Sequence, residues 1–154
     1  MEKWLEASIS GSFKFKPEID QMIDEFADHN VVVLEPTRGW LFVPSGKLIE
    51  VGFRPLPNER GLDIGRIEQR FLDAIRQSDF LYVNNQEHYL GPSSAFEIGA
   101  AHGMNKPIFI REALTLPQFE YDFASYYYWT DALTVATPAE AAAAVRQQKN
   151  AAVV

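Results

Sequence analysis

Phe80-Leu81-Tyr82-Val83, followed by the polar run Asn84-Asn85-Gln86-Glu87-His88-Tyr89-Leu90-Gly91-Pro92 and then by Ser93-Ser94-Ala95-Phe96-Glu97-Ile98-Gly99-Ala100-Ala101-His102-Gly103, is the stretch that decides the fold. Four consecutive apolar residues bounded by polar ones read as a strand buried on both faces. The small-residue segment after the loop reads as a short helix, and Lys106-Pro107-Ile108-Phe109-Ile110 supplies the next strand. Strand, helix and strand in that order build a parallel sheet, because parallel neighbours need a crossover between them.

The same alternation runs outward in both directions. Upstream, Trp4 to Ser10 alternates loosely and meets Gly11-Ser12, a first strand ending in a tight turn. From Pro17 to His29 the apolar positions Ile19, Met22, Ile23 and Phe26 recur at helical spacing, with Pro17 suited to a first turn. Val31-Val32-Val33-Leu34 is a continuous β-branched run, the pattern of a central strand covered on both sides. Between Pro36 and Gly61 the pattern dissolves, although Trp40-Leu41-Phe42-Val43 and Leu48-Ile49-Glu50-Val51 can pair as a small hairpin. Leu62 to Gln77 returns to helical spacing through Ile64, Ile67, Phe71, Leu72 and Ile75. Downstream, a tyrosine-rich segment precedes a last strand near Leu133 to Val135, and an alanine-rich helix from Pro138 to Gln148 closes the chain. The expectation is one domain over residues 1–154: an α/β, Rossmann-like, doubly wound parallel sheet of about five strands with helices on both faces.

Composition narrows the chemistry. The chain has 154 residues and no cysteine, so disulfides, thiolate metal sites and cysteine nucleophiles are excluded; three histidines (His29, His88, His102) are little material for a zinc centre. Neither a metal nor a cofactor is expected. A net charge of -7 with only 14 scattered Lys and Arg argues against a nucleic-acid polymer as partner. The start Met1-Glu2-Lys3-Trp4-Leu5 lacks an apolar signal core, and no apolar run nears the roughly 20 residues that span a bilayer. The expected compartment is the cytoplasm, with no membrane partner.

Parallel sheets take ligands beyond the carboxyl ends of their strands, so the loops after Ser10, Leu34 and Asn84 are where chemistry is sought. Gly91-Pro92-Ser93-Ser94-Ala95-Phe96-Glu97 places two hydroxyls and several free N–H groups at a helix start, a cradle for an anion. Two readings of Glu97 stay open. Ser94 and Glu97 have the spacing of a capping box, in which Glu97 only satisfies a backbone donor. Alternatively Gly99, Ala100 and Ala101 let the helix lie close to the sheet, and Glu97 in its first turn points over the strand ends, ionised beside the helix N-terminus.

The stretch Asp79-Phe80-Leu81-Tyr82-Val83, a loop, Gly91-Pro92-Ser93-Ser94-Ala95-Phe96-Glu97-Ile98-Gly99-Ala100-Ala101 and Lys106-Pro107-Ile108 resembles the nucleoside 2-deoxyribosyltransferase superfamily, which includes the deoxynucleoside 5'-monophosphate N-glycosidases. Ile9-Ser10-Gly11-Ser12 is similar to that family's first strand and glycine turn, and the likeness covers most of Trp4 to Ile110. The resemblance implies cleavage or transfer of the N-glycosidic bond of 2'-deoxynucleosides or their 5'-monophosphates. The resemblance puts Glu97 at the nucleophile's position and implies a glycosyl-enzyme intermediate, as in retaining glycosidases. It places Gly11, Ser12, Ser93 and Ser94 against the substrate and implies a homodimer or higher homo-oligomer. Two positions depart from the pattern. The family's base-handling aspartate falls on Phe71; Asp73 or Asp63 is the available substitute, and each reads first as a solvated residue. Gly91 stands where the transferases carry an aspartate that reads the base. The alternative is a nucleotide-binding module of the same fold that does not cleave its ligand.

Other residues are weighed beside these. Asp79, just before a buried strand, reads as structural. His88 and Tyr89 can protonate or stack on a base or be plain loop residues, and His102 points elsewhere on its helix. Arg38 and Trp40, after the second strand, can clamp a phosphate and a base. Tyr126, Tyr127, Tyr128 and Trp129 read as an interface before a base platform.

Overall fold

The computed structural model describes residues 3–36, 40–42, 48–50, 64–115 and 123–153. In chain order the elements are β1 (Leu5–Gly11), α1 (Lys16–Asp28), β2 (Val31–Glu35), β3 (Trp40–Phe42), β4 (Leu48–Glu50), α2 (Ile64–Gln77), β5 (Phe80–Asn84), α3 (Pro92–Gly103), β6 (Ile108–Ile110), α4 (Phe123–Ala132), β7 (Thr134–Val135) and α5 (Pro138–Ala152). Short 3-10 turns at Phe13–Phe15 and Gln86–His88 follow β1 and β5. The main sheet has five parallel strands in the order β2-β1-β5-β6-β7, and β3 and β4 form a separate antiparallel hairpin. The doubly wound arrangement and the hairpin both match the sequence expectation.

Alternation along the strands divides the core between two layers. Leu5, Ala7 and Ile9 of β1 and Phe80 and Tyr82 of β5 face α1 and α5, where they meet Ile19, Met22, Phe26, Ala141, Ala142 and Val145. Phe26 packs edge-on against Tyr82 with ring centroids 5.3 Å apart, and each such buried aromatic stabilises the fold by about 1.5–3 kcal/mol. The Tyr82 hydroxyl donates to the Ala136 carbonyl at 2.8 Å. On the other face Leu81, Val83, Ile108 and Ile110 meet Ile75 of α2 and Ile98 and Ala101 of α3. Small polar side chains bring α2 close to β1: Ser8 and Ser78 hydroxyls are 2.8 Å apart, and Ser78 donates to the Ala74 carbonyl.

Asp79 is structural, as its position suggested. Its carboxylate accepts the Glu6 amide at 2.8 Å and pairs with Lys149 at 2.5 Å, tying β5 to β1 and α5. Burial alone would raise its pKa, but the Lys149 and Glu6 contacts outweigh burial and hold it below the usual value.

Two expectations need correction. Val31-Val32-Val33-Leu34 is not a central strand: β2 pairs only with β1 at the sheet edge, and Val32 is 45% exposed. Branched side chains favour any pleated strand, whether one or both faces are covered. Gly99 does not bring α3 onto the sheet either, because a side chain there would touch nothing within 4 Å. The buried stripe of α3 is Ser94, Glu97, Ile98 and Ala101, at helical spacing.

Candidate functional site

Between β1 and β5 the connections leave in opposite directions: the chain goes out from β1 to β2 on one side, while β5 continues to β6 on the other. Ligands in doubly wound sheets bind at such a switch point, above the carboxyl ends of the two strands. Here those ends are Ser10-Gly11 and Val83-Asn84, paired in register. A Cβ at position 11 would stand 3.0 Å from the Asn84 carbonyl oxygen, so only glycine lets β1 end this close to β5.

Glu97 comes to this edge from α3. The helix starts one residue earlier than expected: Gly91 is its N-cap, without a side-chain cap, and Pro92 its first residue. Ser94 is therefore inside the first turn and Glu97 in the second, which rules out the capping-box reading. The capping box of this chain is at α5, where Thr137 and Glu140 exchange both bonds. Glu97 is 5% exposed, and its Oε1 accepts a 2.6 Å hydrogen bond from the Ser10 hydroxyl.

The second carboxyl of the site is Glu68, on α2. Burial above all, helped by the charge and hydrogen bonding of neighbouring Glu68 and opposed by the Ser10 hydroxyl, pushes the Glu97 carboxyl up to about 8. Glu97 is thus not held ionised by its helix, as expected from sequence, but protonated at neutral pH. It lies too far into the helix for the N-terminal dipole to offset the cost of burial. Taken as two carboxylates, the pair leaves Glu68 Oε1 buried without a donor among the described residues. The proton that Glu97 keeps is the donor that such a close carboxyl pair calls for.

The remaining sequence candidates surround this dyad unevenly. Ser12 caps the 3-10 turn, its hydroxyl accepting the Lys14 amide at 3.3 Å. Lys14 reaches across the edge and places its ammonium 4.0 Å from the Tyr89 ring centre. Tyr89 in turn fills the space a side chain at Gly91 would take. Ser93 is exposed and Ser94 buried in the first turn of α3. His88 turns toward the loop after β6, its amide donating to Glu112 and its Nδ1 3.2 Å from the Ala113 carbonyl. β3, which carries Trp40, lies against the turn Phe13–Phe15. Arg38 and Asp63 lie outside the described residues. Asp73 is exposed and accepts a hydrogen bond from Gln69 on its own helix, and Phe71 packs into the core beside α3. His102 meets the Tyr128 hydroxyl at 2.5 Å on the outer surface.

Ser10, Glu68, Asn84 and Arg111 are the site residues that sequence reasoning passed over. Glu68 left a signal: it falls three, four and seven residues before Phe71, Leu72 and Ile75, on the stripe that α2 buries. A carboxylate on such a stripe asks for a partner.

The architecture has solved counterparts. It is shared with a CMP N-glycosidase. That protein, BcmB of Clostridium botulinum, superposes with a TM-score of 0.52 at 13% identity, over 93% of this chain and 98% of its own. A conserved protein from Enterococcus faecalis gives a TM-score of 0.57 at 9% identity, over 94% and 99%. At these identities the likeness is one of fold. No family model and no curated protein matches the sequence.

Proposed function

We propose that this chain cleaves the N-glycosidic bond of a nucleoside or nucleoside 5'-monophosphate, with Glu97 as nucleophile and Glu68 as its acid–base partner. The observation that carries the reading is the buried Glu97 carboxyl with Glu68 beside it and Ser10 bound to it, at the carboxyl ends of β1 and β5. Two carboxyls with one proton between them are what retaining glycoside chemistry requires. The Glu97 proton first passes to Glu68; Glu97 Oε then attacks the anomeric carbon, the electron pair of the C–N bond leaves with the base, and the base takes that proton from Glu68. Water then attacks the glycosyl ester, Glu68 receives its proton, and Glu97 departs as the carboxylate. A free base in place of water gives transfer. No metal or cofactor enters this scheme.

Two further observations support the reading. Phe71 at the position of the family's aspartate argued for a binding module without catalysis; Glu68, one turn earlier on α2, supplies an acid from the same helix. The shared fold with an enzyme that acts on CMP makes nucleotides the first substrates to test, as ribose and as deoxyribose forms. Exposed Phe96 and Tyr128, beside an apolar crevice between α3 and α4, form the surface that we propose a second copy covers. Light scattering of Phe96→Asp against wild type tests this.

The deciding experiment incubates the protein with nucleosides and their monophosphates, with and without free base, and follows released or exchanged base by chromatography. Release by wild type, lost in Glu97→Ala with ligand binding retained, is the expected result. Saturable binding without release by wild type marks the non-catalytic module instead.

A further inference from the structure

Asn84 ends β5 at the switch point and is 1% exposed. Side chains alternate along the strand, so Asn84 falls on the α1 and α5 side with Tyr82, opposite Val83. Its register partner Gly11 confirms the side: a Cβ there would stand 3.2 Å from Asn84 Cβ and 3.4 Å from Ile19 Cδ1 of α1. Arg111, just past β6, donates from Nη1 to Asn84 Oδ1 at 3.2 Å and to Gln86 Oε1 at 3.0 Å. That contact decides how the amide is turned. Oδ1 faces the guanidinium, and Nδ2 faces away from it, buried and without an acceptor among the described residues. A buried donor left unpaired is costly, so an oriented one at a ligand edge calls for an acceptor from outside the chain.

Displacement at an anomeric carbon puts the leaving base on the side opposite the nucleophile. Glu97 comes to the strand ends from the α2 and α3 side, and Asn84 from the α1 and α5 side. Ser10, which binds Glu97, and Gly11, which pairs with Asn84, are consecutive. We infer that Asn84 Nδ2 donates to the leaving base at the acceptor flanking the glycosidic nitrogen, O2 of a pyrimidine or N3 of a purine. Arg111 is the positioning residue that holds the amide. The inference rests on the reading of the site as an N-glycosidase. The acceptor gains negative charge as the C–N bond breaks, so this hydrogen bond strengthens in the transition state and acts on kcat more than on KM.

The test compares wild type, Asn84→Ala, the near-isosteric Asn84→Asp and Arg111→Lys on paired substrates. Purine nucleotides are set against their 3-deaza analogues, and pyrimidine nucleotides against their 2-thio analogues; thermal melts establish that each variant folds. Loss of the donor is expected to lower kcat on natural substrates about a hundredfold, with KM changing less. The wild-type preference for the natural base over its analogue is expected to vanish in Asn84→Ala and Asn84→Asp, and to shrink in Arg111→Lys. An equal preference in wild type and both Asn84 variants overturns the inference while leaving the N-glycosidase reading intact. Should wild type release no base at all, that reading fails, and calorimetric binding of the same pairs decides about Asn84. Affinity lost only for the natural base supports the donor, and unchanged affinity refutes it.

Discussion

Replacing Glu97 by glutamine is expected to stabilise the protein at neutral and alkaline pH while abolishing turnover. The side chain is 5% exposed, and its pKa is raised from an ordinary 4.5 to about 8, by burial first and by Glu68 beside it. Below pH 4.5 the folded and unfolded chains both carry the proton, and Glu97 costs nothing. As pH rises toward 8 the unfolded chain ionises freely while the folded one keeps its proton, so stability falls across that interval and levels off above it. At about 1.4 kcal/mol per pH unit, the interval amounts to about 5 kcal/mol. Glutamine keeps the shape and can meet the Ser10 hydroxyl without a titrating group. The two proteins should therefore melt alike near pH 4.5 and diverge by about 10–20 °C by pH 8 to 9, with Glu97→Gln the more stable. Thermal and urea melts of both across pH 4.5 to 9 measure this. A difference that stays constant over the whole range means Glu97 is not held neutral, and the account of the dyad is then wrong. The same substitution removes the nucleophile, so gained stability should accompany lost base release.

Glu68→Gln should leave the fold intact, reduce base release by a factor of about 100 or more, and lower the pH at which Glu97 ionises, since a neighbouring carboxyl charge is gone. The pH profile of any residual activity reads that shift. Ser10→Ala removes the hydrogen bond that favours the carboxylate, so Glu97 should ionise at still higher pH and the acid limb of the activity profile should move up. Asp79→Asn should cost about 1–3 kcal/mol by weakening the contact to the Glu6 amide and losing that to the Lys149 ammonium. Because the Asp79 pKa is depressed, its contribution is present above pH 3.8 and lost as pH falls below it, so wild type and variant should converge in acid.

Much of this architecture could be read from apolar spacing. The strand at Phe80, the helices on either side of it and the hairpin at Trp40 and Leu48 were legible because burial imposes a period of two on a strand and 3.6 on a helix. The misreadings came where one pattern fits two environments. A valine run marks a strand without saying how many faces are covered, and β2 proved to be an edge. Ser94 and Glu97 fit a capping box until the N-cap proves to be Gly91, three residues before Ser94.

By itself the sequence determined the alternation of strands and helices, and it pointed to the carboxyl edge and to Glu97 as the acidic residue to examine there. It excluded cysteine chemistry outright. Only the tertiary structure decided what surrounds that carboxyl. Ser10, Glu68 and Glu97 stand up to 87 positions apart in the chain, and they meet because β1, α2 and α3 pack against one another. A pKa depends on the charges and solvent within a few ångströms of the group, and that neighbourhood is set by packing across the fold and not by order along the chain.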